Sequence, residues 1–181
     1  MSELITALRK VTAAIRPINN LALVVTVDES DFKVVFLYDP KKPEDENFIG
    51  GADIEYDSGN TVWSVSGIYA EKGWGPTLYL ALMQISEPDG LTSSPGGDDG
   101  NTREDAINVW ENFYDGVGQT YVTKEKLEND RGNEGALTYK YHPAKKVSLE
   151  PAIRNHIEYE KNHPDIAESL QDQASEKWQN I

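Results

Sequence analysis

The sequence predicts a mixed α+β fold, a single domain in which helices flank a curved, mainly antiparallel central sheet. Segments rich in β-branched and aromatic residues follow one another between residues 21 and 70, whereas most segments with helical periodicity come later. This order differs from the regular alternation of strand and helix that builds a parallel α/β sheet. The chain has 181 residues, which is enough for one domain with a hydrophobic core. We predict that this domain covers residues 1–145 and that 146–181 form a polar, helical C-terminal extension.

The first part of the chain predicts one helix and four strands. Apolar residues at helical spacing predict a helix over residues 3–15, and Pro17 ends it because proline cannot continue the hydrogen-bond ladder. The β-branched and aromatic runs that follow are typical of strands, and the first two predict an antiparallel pair because only "ESD" separates them. The four predicted strands are "LALVVTVD" (21–28), "FKVVFLYD" (32–39), "FIGGADIEYD" (48–57) and "TVWSVSGIYA" (61–70).

The middle of the chain predicts two helices around a loop, and then weaker strands. Residues 77–86 predict a helix, and the glycine-rich, acidic run over 87–101 predicts an exposed loop. Asn101 with Glu104 three residues later matches a capping-box pattern, and the apolar residues after it recur at the spacing of an amphipathic helix. "QTYVTKE" and "GALTYKYHP" predict two more strands after that helix.

The C-terminal extension predicts polar helices that Pro164 divides. Its apolar residues are sparse, so we expect these helices to be only partly buried. The three histidines, His142, His156 and His163, do not fall at metal-ligand spacings, and we expect them at the surface. No metal site is predicted.

Composition excludes several classes of function. The formal net charge of −14 argues against binding to nucleic acid or to an anionic membrane surface, both of which attract Lys and Arg. No apolar run approaches the roughly 20 residues of a membrane-spanning helix. Cysteine is absent, which excludes disulfides and favours a cytosolic setting over a secreted one. The acidic surface serves either solubility or the binding of a basic partner.

The most informative motif is a turn between the fourth strand and the helix after it, "KGWGP". Gly73 and Gly75 permit positive φ and a close approach to the backbone, and Pro76 suits the start of a helix. Unpaired backbone amides and the positive end of a helix dipole then lie at the same place, which is a typical binding site for phosphate. The alternative is a tight turn that only packs a strand against a helix.

The wider context resembles a known family. "KGWGPTLYLALM", "DAINVWENFY" and "GALTYKYHP" resemble the GCN5-related N-acetyltransferase (GNAT) family, and more closely a group of acetyltransferase-like proteins encoded by bacteriophages. The resemblance covers roughly residues 48–142 and implies a GNAT-like fold with acetyl-coenzyme A as the cofactor. In the family, the coenzyme lies across a V-shaped opening between two central strands. The implied contacts are Lys72, Gly73, Trp74, Gly75 and Thr77 for the pyrophosphate, Ser66, Ile68 and Ala70 for the pantetheine arm, and Trp110 beside the coenzyme.

The chain also departs from the family pattern at the positions that carry charge and protons. Ala70 stands where the family has Gln or Arg, and Lys72 is a candidate replacement for that charge. Trp110 stands where the family has the tyrosine that protonates the leaving thiolate, and it cannot supply that proton. Tyr114, one turn later, is the candidate acid, and Glu55 on the third strand is the candidate general base.

Two functions from different classes therefore follow from the resemblance. One is a phage N-acetyltransferase that acts on an amine of a host protein or of a small molecule, in the host cytoplasm. The other is a non-catalytic protein with the same fold, either a virion component or an acidic inhibitor of a host factor. The sequence leaves a homo-oligomer open in both cases.

Overall fold

A computed structural model describes residues 15–94, 104–129 and 131–179 of the chain. The described strands are β1 (Ala22–Glu29), β2 (Phe32–Tyr38), β3 (Phe48–Asp57), β4 (Val62–Ala70), β5 (Leu91–Thr92), β6 (Val122–Lys126) and β7 (Tyr139–Pro143). The described helices are α1 (Gly75–Ile85), α2 (Glu104–Tyr114), α3 (Leu149–Glu160) and α4 (Ile166–Gln179). Most of the predicted helix over 3–15 and the second part of the predicted loop, 95–101 with the capping residue Asn101, lie outside the described residues.

All seven described strands belong to one sheet, in the order β1-β2-β3-β4-β5-β7-β6. Every pair of neighbours is antiparallel except β4 and β5, which run parallel. The prediction of a mixed fold with a mainly antiparallel sheet is confirmed, as are the four strands predicted between residues 21 and 70. The change of direction at β4 places α1 in the crossover between two parallel strands.

Side chains are buried on both faces of the part of the sheet formed by β1 to β4, and these strands contribute to two hydrophobic clusters. On β2, Val35 and Leu37 join one cluster, and Phe36 and Tyr38 join the other, as the two-residue period of a strand requires. The first cluster contains the buried residues of α1 and α2, and the second contains those of α4. The helices before residue 115 therefore cover one face of the sheet, and the last helix covers the other.

The C-terminal extension packs against the sheet through α4, and this helix is only partly buried, as expected. Its residues Ile166, Leu170 and Ala174 are fully buried in the second cluster. They are few, but their four-residue spacing aligns them on one face of the helix. Full burial of an isoleucine or leucine side chain stabilises a fold by roughly 1.5–3 kcal/mol, so even this narrow stripe holds the helix in place.

His156 was expected at the surface, and that expectation was wrong. Its residue exposure is 7%, and its Nδ1 lies 2.9 Å from the hydroxyl of Tyr38, which is fully buried on β2. Burial lowers the pKa of His156, against a smaller opposing effect of the Glu160 carboxylate. The pair therefore joins α3 to the sheet through a hydrogen bond with a neutral imidazole.

Candidate functional site

The sheet opens between β4 and β5. The two strands pair only where Trp63 meets Leu91 and Ser64 meets Thr92. Further along β4, residues 65–70 pair with β3 on one side, and within the described part of the chain no strand pairs with their other side. The hydroxyl of Ser94 donates to the carbonyl of Val65 at the point where the opening begins. Among the described residues, one edge of the second half of β4 is therefore left unpaired.

A β-bulge marks the inner end of this opening. Asp53 on β3 pairs with Gly67, whereas the next residue, Ile54, pairs with Val65, so Ser66 is the extra residue on β4. Bulges redirect side chains and backbone groups and are common beside functional sites.

The backbone of Ile68 and Ala70 points into the opening. The amide of Trp63 donates towards β5, to the Gly90 carbonyl at 3.0 Å, and the amide of Glu71 donates towards β3, to a carbonyl at 2.8 Å. Because these directions alternate along a strand, Ala70 and Ile68 direct their amides and carbonyls away from β3. These are two of the three residues that the resemblance implies for the pantetheine arm.

The glycine turn lies where β4 ends and α1 begins. The helix starts at Gly75, two residues before the predicted start, so Pro76 occupies its second position. Leu78 is the first residue whose amide bonds within the helix, to the Trp74 carbonyl at 2.9 Å. The amides of Gly75 and Thr77 belong to the first turn and have no acceptor inside the helix. Thr77 is fully buried, so the Gly75 amide is the one that a phosphate at this end of α1 would meet.

The two glycines of the turn have different structural reasons. Gly73 has a φ of +86°, and a Cβ on it would lie 2.3 Å from Nη2 of Arg16. Gly75 has no positive φ, and the nearest atom to its Cβ position is Cγ2 of Val109 at 3.9 Å. The fold therefore requires glycine at 73, whereas at 75 it leaves room for a side chain. Gly75 keeps open a space that borders on the cavity described next.

A cavity of about 530 Å³ fills the angle between β4, the glycine turn and α2. This volume is within the range of small-molecule sites. Seven of the predicted contact residues line it, namely Ser66, Ile68, Ala70, Lys72, Gly73, Gly75 and Trp110. The other lining residues are Val65, Gly67, Tyr69, Glu71, Pro76, Tyr79, Ser94, Asp105, Ala106 and Val109.

Two predicted pyrophosphate contacts have other partners. The amide of Trp74 donates to the Glu71 carbonyl at 2.9 Å, and the indole lies under the guanidinium of Arg16, 5.1 Å from Cζ to the ring centre. The side chain of Thr77 is fully buried, and its Oγ1 accepts a hydrogen bond from the backbone amide of Arg16 at 2.7 Å. The indole and the threonine hydroxyl thus hold the segment before β1 against the turn, and neither Trp74 nor Thr77 lines the cavity.

The two predicted catalytic residues do not line the cavity. The ring of Tyr114 packs 5.2 Å from that of Tyr139, and the Lys124 ammonium lies over it at 4.2 Å. A hydrogen bond with Tyr139 raises the pKa of Tyr114. Glu55 is exposed on β3, opposite Phe32. The proposed roles of both residues stay predictions.

Two other titratable side chains either line the cavity or lie beside a residue that lines it. Tyr79 lines it, is almost fully buried and packs 4.8 Å from the ring of Trp110; burial, followed by the charge of Asp105, raises its pKa. Asp53 lies beside the bulge, with Oδ2 3.6 Å from the Cβ position of Gly67. Burial, followed by the charge of Glu55, raises the pKa of Asp53. Only weak sequence patterns indicated that these two residues lie near the site. Tyr79 follows Gly75 by one helical turn, and Asp53 shares a strand face with Glu55.

The described residues contain no group of three or more His, Asp or Glu side chains that could hold a metal ion. Nor is any helix among them long and apolar enough to cross a membrane. Comparisons of the chain with protein-family models, with curated proteins and with solved structures found no match.

Proposed function

We propose that this chain has a GNAT-like fold, binds acetyl-coenzyme A in the cavity beside β4 and transfers the acetyl group to an amine. One observation carries the proposal: the open edge of β4 leads directly into a glycine turn at the start of a helix. A strand edge binds an extended amide chain, and a helix start binds a phosphate. Acetyl-coenzyme A has a pantetheine arm with two amides and a pyrophosphate, in that order.

The residues present fit that ligand. The backbone groups of Ile68 and Ala70 would pair with the pantetheine amides, and the amides of Gly73 and Gly75, two residues that line the cavity, would bind the pyrophosphate. The space beside Gly75, where a Cβ would meet nothing closer than 3.9 Å, gives the phosphates access to those amides. The bulge at Ser66 would then lie near the thioester. When bound, acetyl-coenzyme A supplies a thioester whose acetyl group an amine can accept.

Two residues of the chain are candidates for the proton transfers. The Asp53 carboxylate would take a proton from the attacking amine, and its raised pKa makes it a stronger base than an exposed aspartate. The Tyr79 hydroxyl, on a residue that lines the cavity, would give a proton to the departing sulfur. Tyr79 lines the cavity on α1, across from Trp110 on α2, so a hydroxyl is available although position 110 has none.

Calorimetric titration with acetyl-coenzyme A tests the proposal. We expect saturable binding at one site per chain, and a loss of at least tenfold in affinity for Gly75→Asp, which adds bulk and negative charge beside the phosphates. Ser58→Asp adds the same charge at an exposed turn between β3 and β4 and is the matched control. Equal affinities of wild type and a folded Gly75→Asp would refute the site.

A second candidate function is a non-catalytic protein with the same fold. The observation that favours it is Trp110, which is buried between Tyr79 and Tyr141 and has no proton to give to a thiolate. Release of free thiol from acetyl-coenzyme A in the presence of polyamines or lysine-containing peptides would favour the enzyme. Coenzyme binding without turnover, together with recovery of the chain from purified phage particles or on a host protein, would favour the second function.

A further inference from the structure

We propose that Arg16 supplies the phosphate-binding guanidinium that this turn lacks at Ala70. The inference rests on the proposed coenzyme site and adds a specific residue to it. Arg16 is far from the turn in sequence, and the structure brings the two together.

Three contacts hold Arg16 at the turn. Its backbone amide donates to the buried Thr77 hydroxyl at 2.7 Å, which fixes the main chain beside the first turn of α1. Its guanidinium lies over the Trp74 ring, 5.1 Å from the ring centre. The same guanidinium covers Gly73, where Nη2 is 2.3 Å and Cζ is 2.8 Å from the position of a Cβ. A side chain at 73 would displace it.

This arrangement leaves the guanidinium able to bind an anion. Arg16 is exposed, so a solute can reach it, and Gly73 beneath it lines the cavity. A guanidinium stacked on an aromatic ring keeps its N–H groups free at the edge, where they can form two parallel bonds to a phosphate. The contact with Trp74 therefore restrains the guanidinium beside Gly73 and reduces the entropy lost when it binds.

The charges around the turn indicate why a second cation is needed. The cavity wall includes the carboxylates of Glu71 and Asp105, and the whole chain has a net charge of −14. Lys72 is the cation at the turn itself, but an ammonium is a point charge that cannot form the bidentate contact. Arg16 places a positive charge beside Gly73, which offsets the negative charge of these carboxylates. Its guanidinium would bind the phosphate in addition to the amides at the start of the helix.

The test compares two probes, one with the phosphate-bearing nucleotide and one without it. Acetyl-coenzyme A contains the pyrophosphate, and acetyl-pantetheine lacks every phosphate but keeps the arm and the thioester. For Arg16→Gln we expect a loss of at least tenfold in affinity for acetyl-coenzyme A and no change for acetyl-pantetheine. Arg16→Lys restores the charge without the fork and should recover only part of the loss.

Arg154→Gln is the matched control, because Arg154 is an exposed arginine on α3 whose removal changes the net charge equally. It should leave both affinities unchanged. A thermal melt of each variant without ligand confirms that it is folded. If Arg16→Gln bound acetyl-coenzyme A like wild type, or lost both probes equally, Arg16 would not be a phosphate ligand. If wild type bound neither probe, the coenzyme site itself would be refuted, and this inference with it.

Discussion

Substitution by alanine should affect stability differently at the two glycines of the turn, because the added methyl group would have different surroundings at each position. In Gly73→Ala, the alanine must keep a φ of +86°, a left-handed conformation that costs about 1–2 kcal/mol, and must displace the Arg16 guanidinium. In Gly75→Ala, the new methyl group has 3.9 Å of clearance at the first position of a helix. Replacing glycine where alanine fits without strain stabilises by about 0.4–1 kcal/mol.

Thermal melting and calorimetry together read out this difference. For a chain of this size, 1 kcal/mol corresponds to roughly 2–4 °C in Tm. We therefore expect Gly73→Ala to melt about 2–8 °C below wild type, and Gly75→Ala to melt at or slightly above it. Despite its stability, Gly75→Ala should bind acetyl-coenzyme A more weakly, because its methyl group occupies the space beside the phosphate-binding amides. Normal coenzyme affinity in Gly75→Ala, or a melting temperature well below that of wild type, would refute this reasoning.

The remaining predictions concern buried polar groups. Tyr38→Phe removes the hydroxyl bonded to His156 and leaves a buried nitrogen without its partner, so we expect a loss of about 1–3 kcal/mol in urea unfolding. Burial lowers the pKa of His156, so on acidification the unfolded chain binds a proton at this residue before the folded chain does. The free energy of unfolding should therefore fall as the pH drops below about 6.5. Unfolding curves at pH 7.5 and 5.5 would show this fall, and a His156→Gln variant should lack it. The pKa of Asp53 is raised in the folded chain, so its ionised form opposes folding. Asp53→Asn should therefore be more stable than wild type at pH 7 and should lose that advantage as the pH approaches 4. The same variant should be slow in acetyl transfer. Equal stability of Asp53→Asn and wild type at pH 7 would show that the carboxylate is well solvated.

Sequence patterns predicted the strands and helices whose own residues favour one type of secondary structure. The strands from β1 to β4 have β-branched and aromatic runs, and the start of α1 has glycine and proline, so their positions followed from neighbouring residues. β5 has only two residues, Leu91 and Thr92, which is too short to leave a pattern. The parallel pairing of β5 with β4 creates the opening, and the periodicity of the sequence did not predict this pairing. The expected position of a ligand came instead from the resemblance to the GNAT family.

The features that sequence reasoning missed depend on contacts between distant residues. Nothing near Arg16 in the sequence indicates that its guanidinium lies on Gly73. The pattern "GWG" does not reveal which glycine needs a positive φ and which one keeps space open. The three buried residues of α4 were too few to predict that this helix packs on the sheet, because the sheet face that receives them is formed by strands more than a hundred residues earlier.

A crystal structure of the chain grown with acetyl-coenzyme A would test the proposed site most directly. We predict pyrophosphate oxygens at hydrogen-bond distance, about 3 Å, from the amides of Gly73 and Gly75, and the pantetheine arm alongside Ile68 and Ala70. Coenzyme bound elsewhere on the chain, or an empty cavity beside β4 at saturating coenzyme, would contradict the proposal.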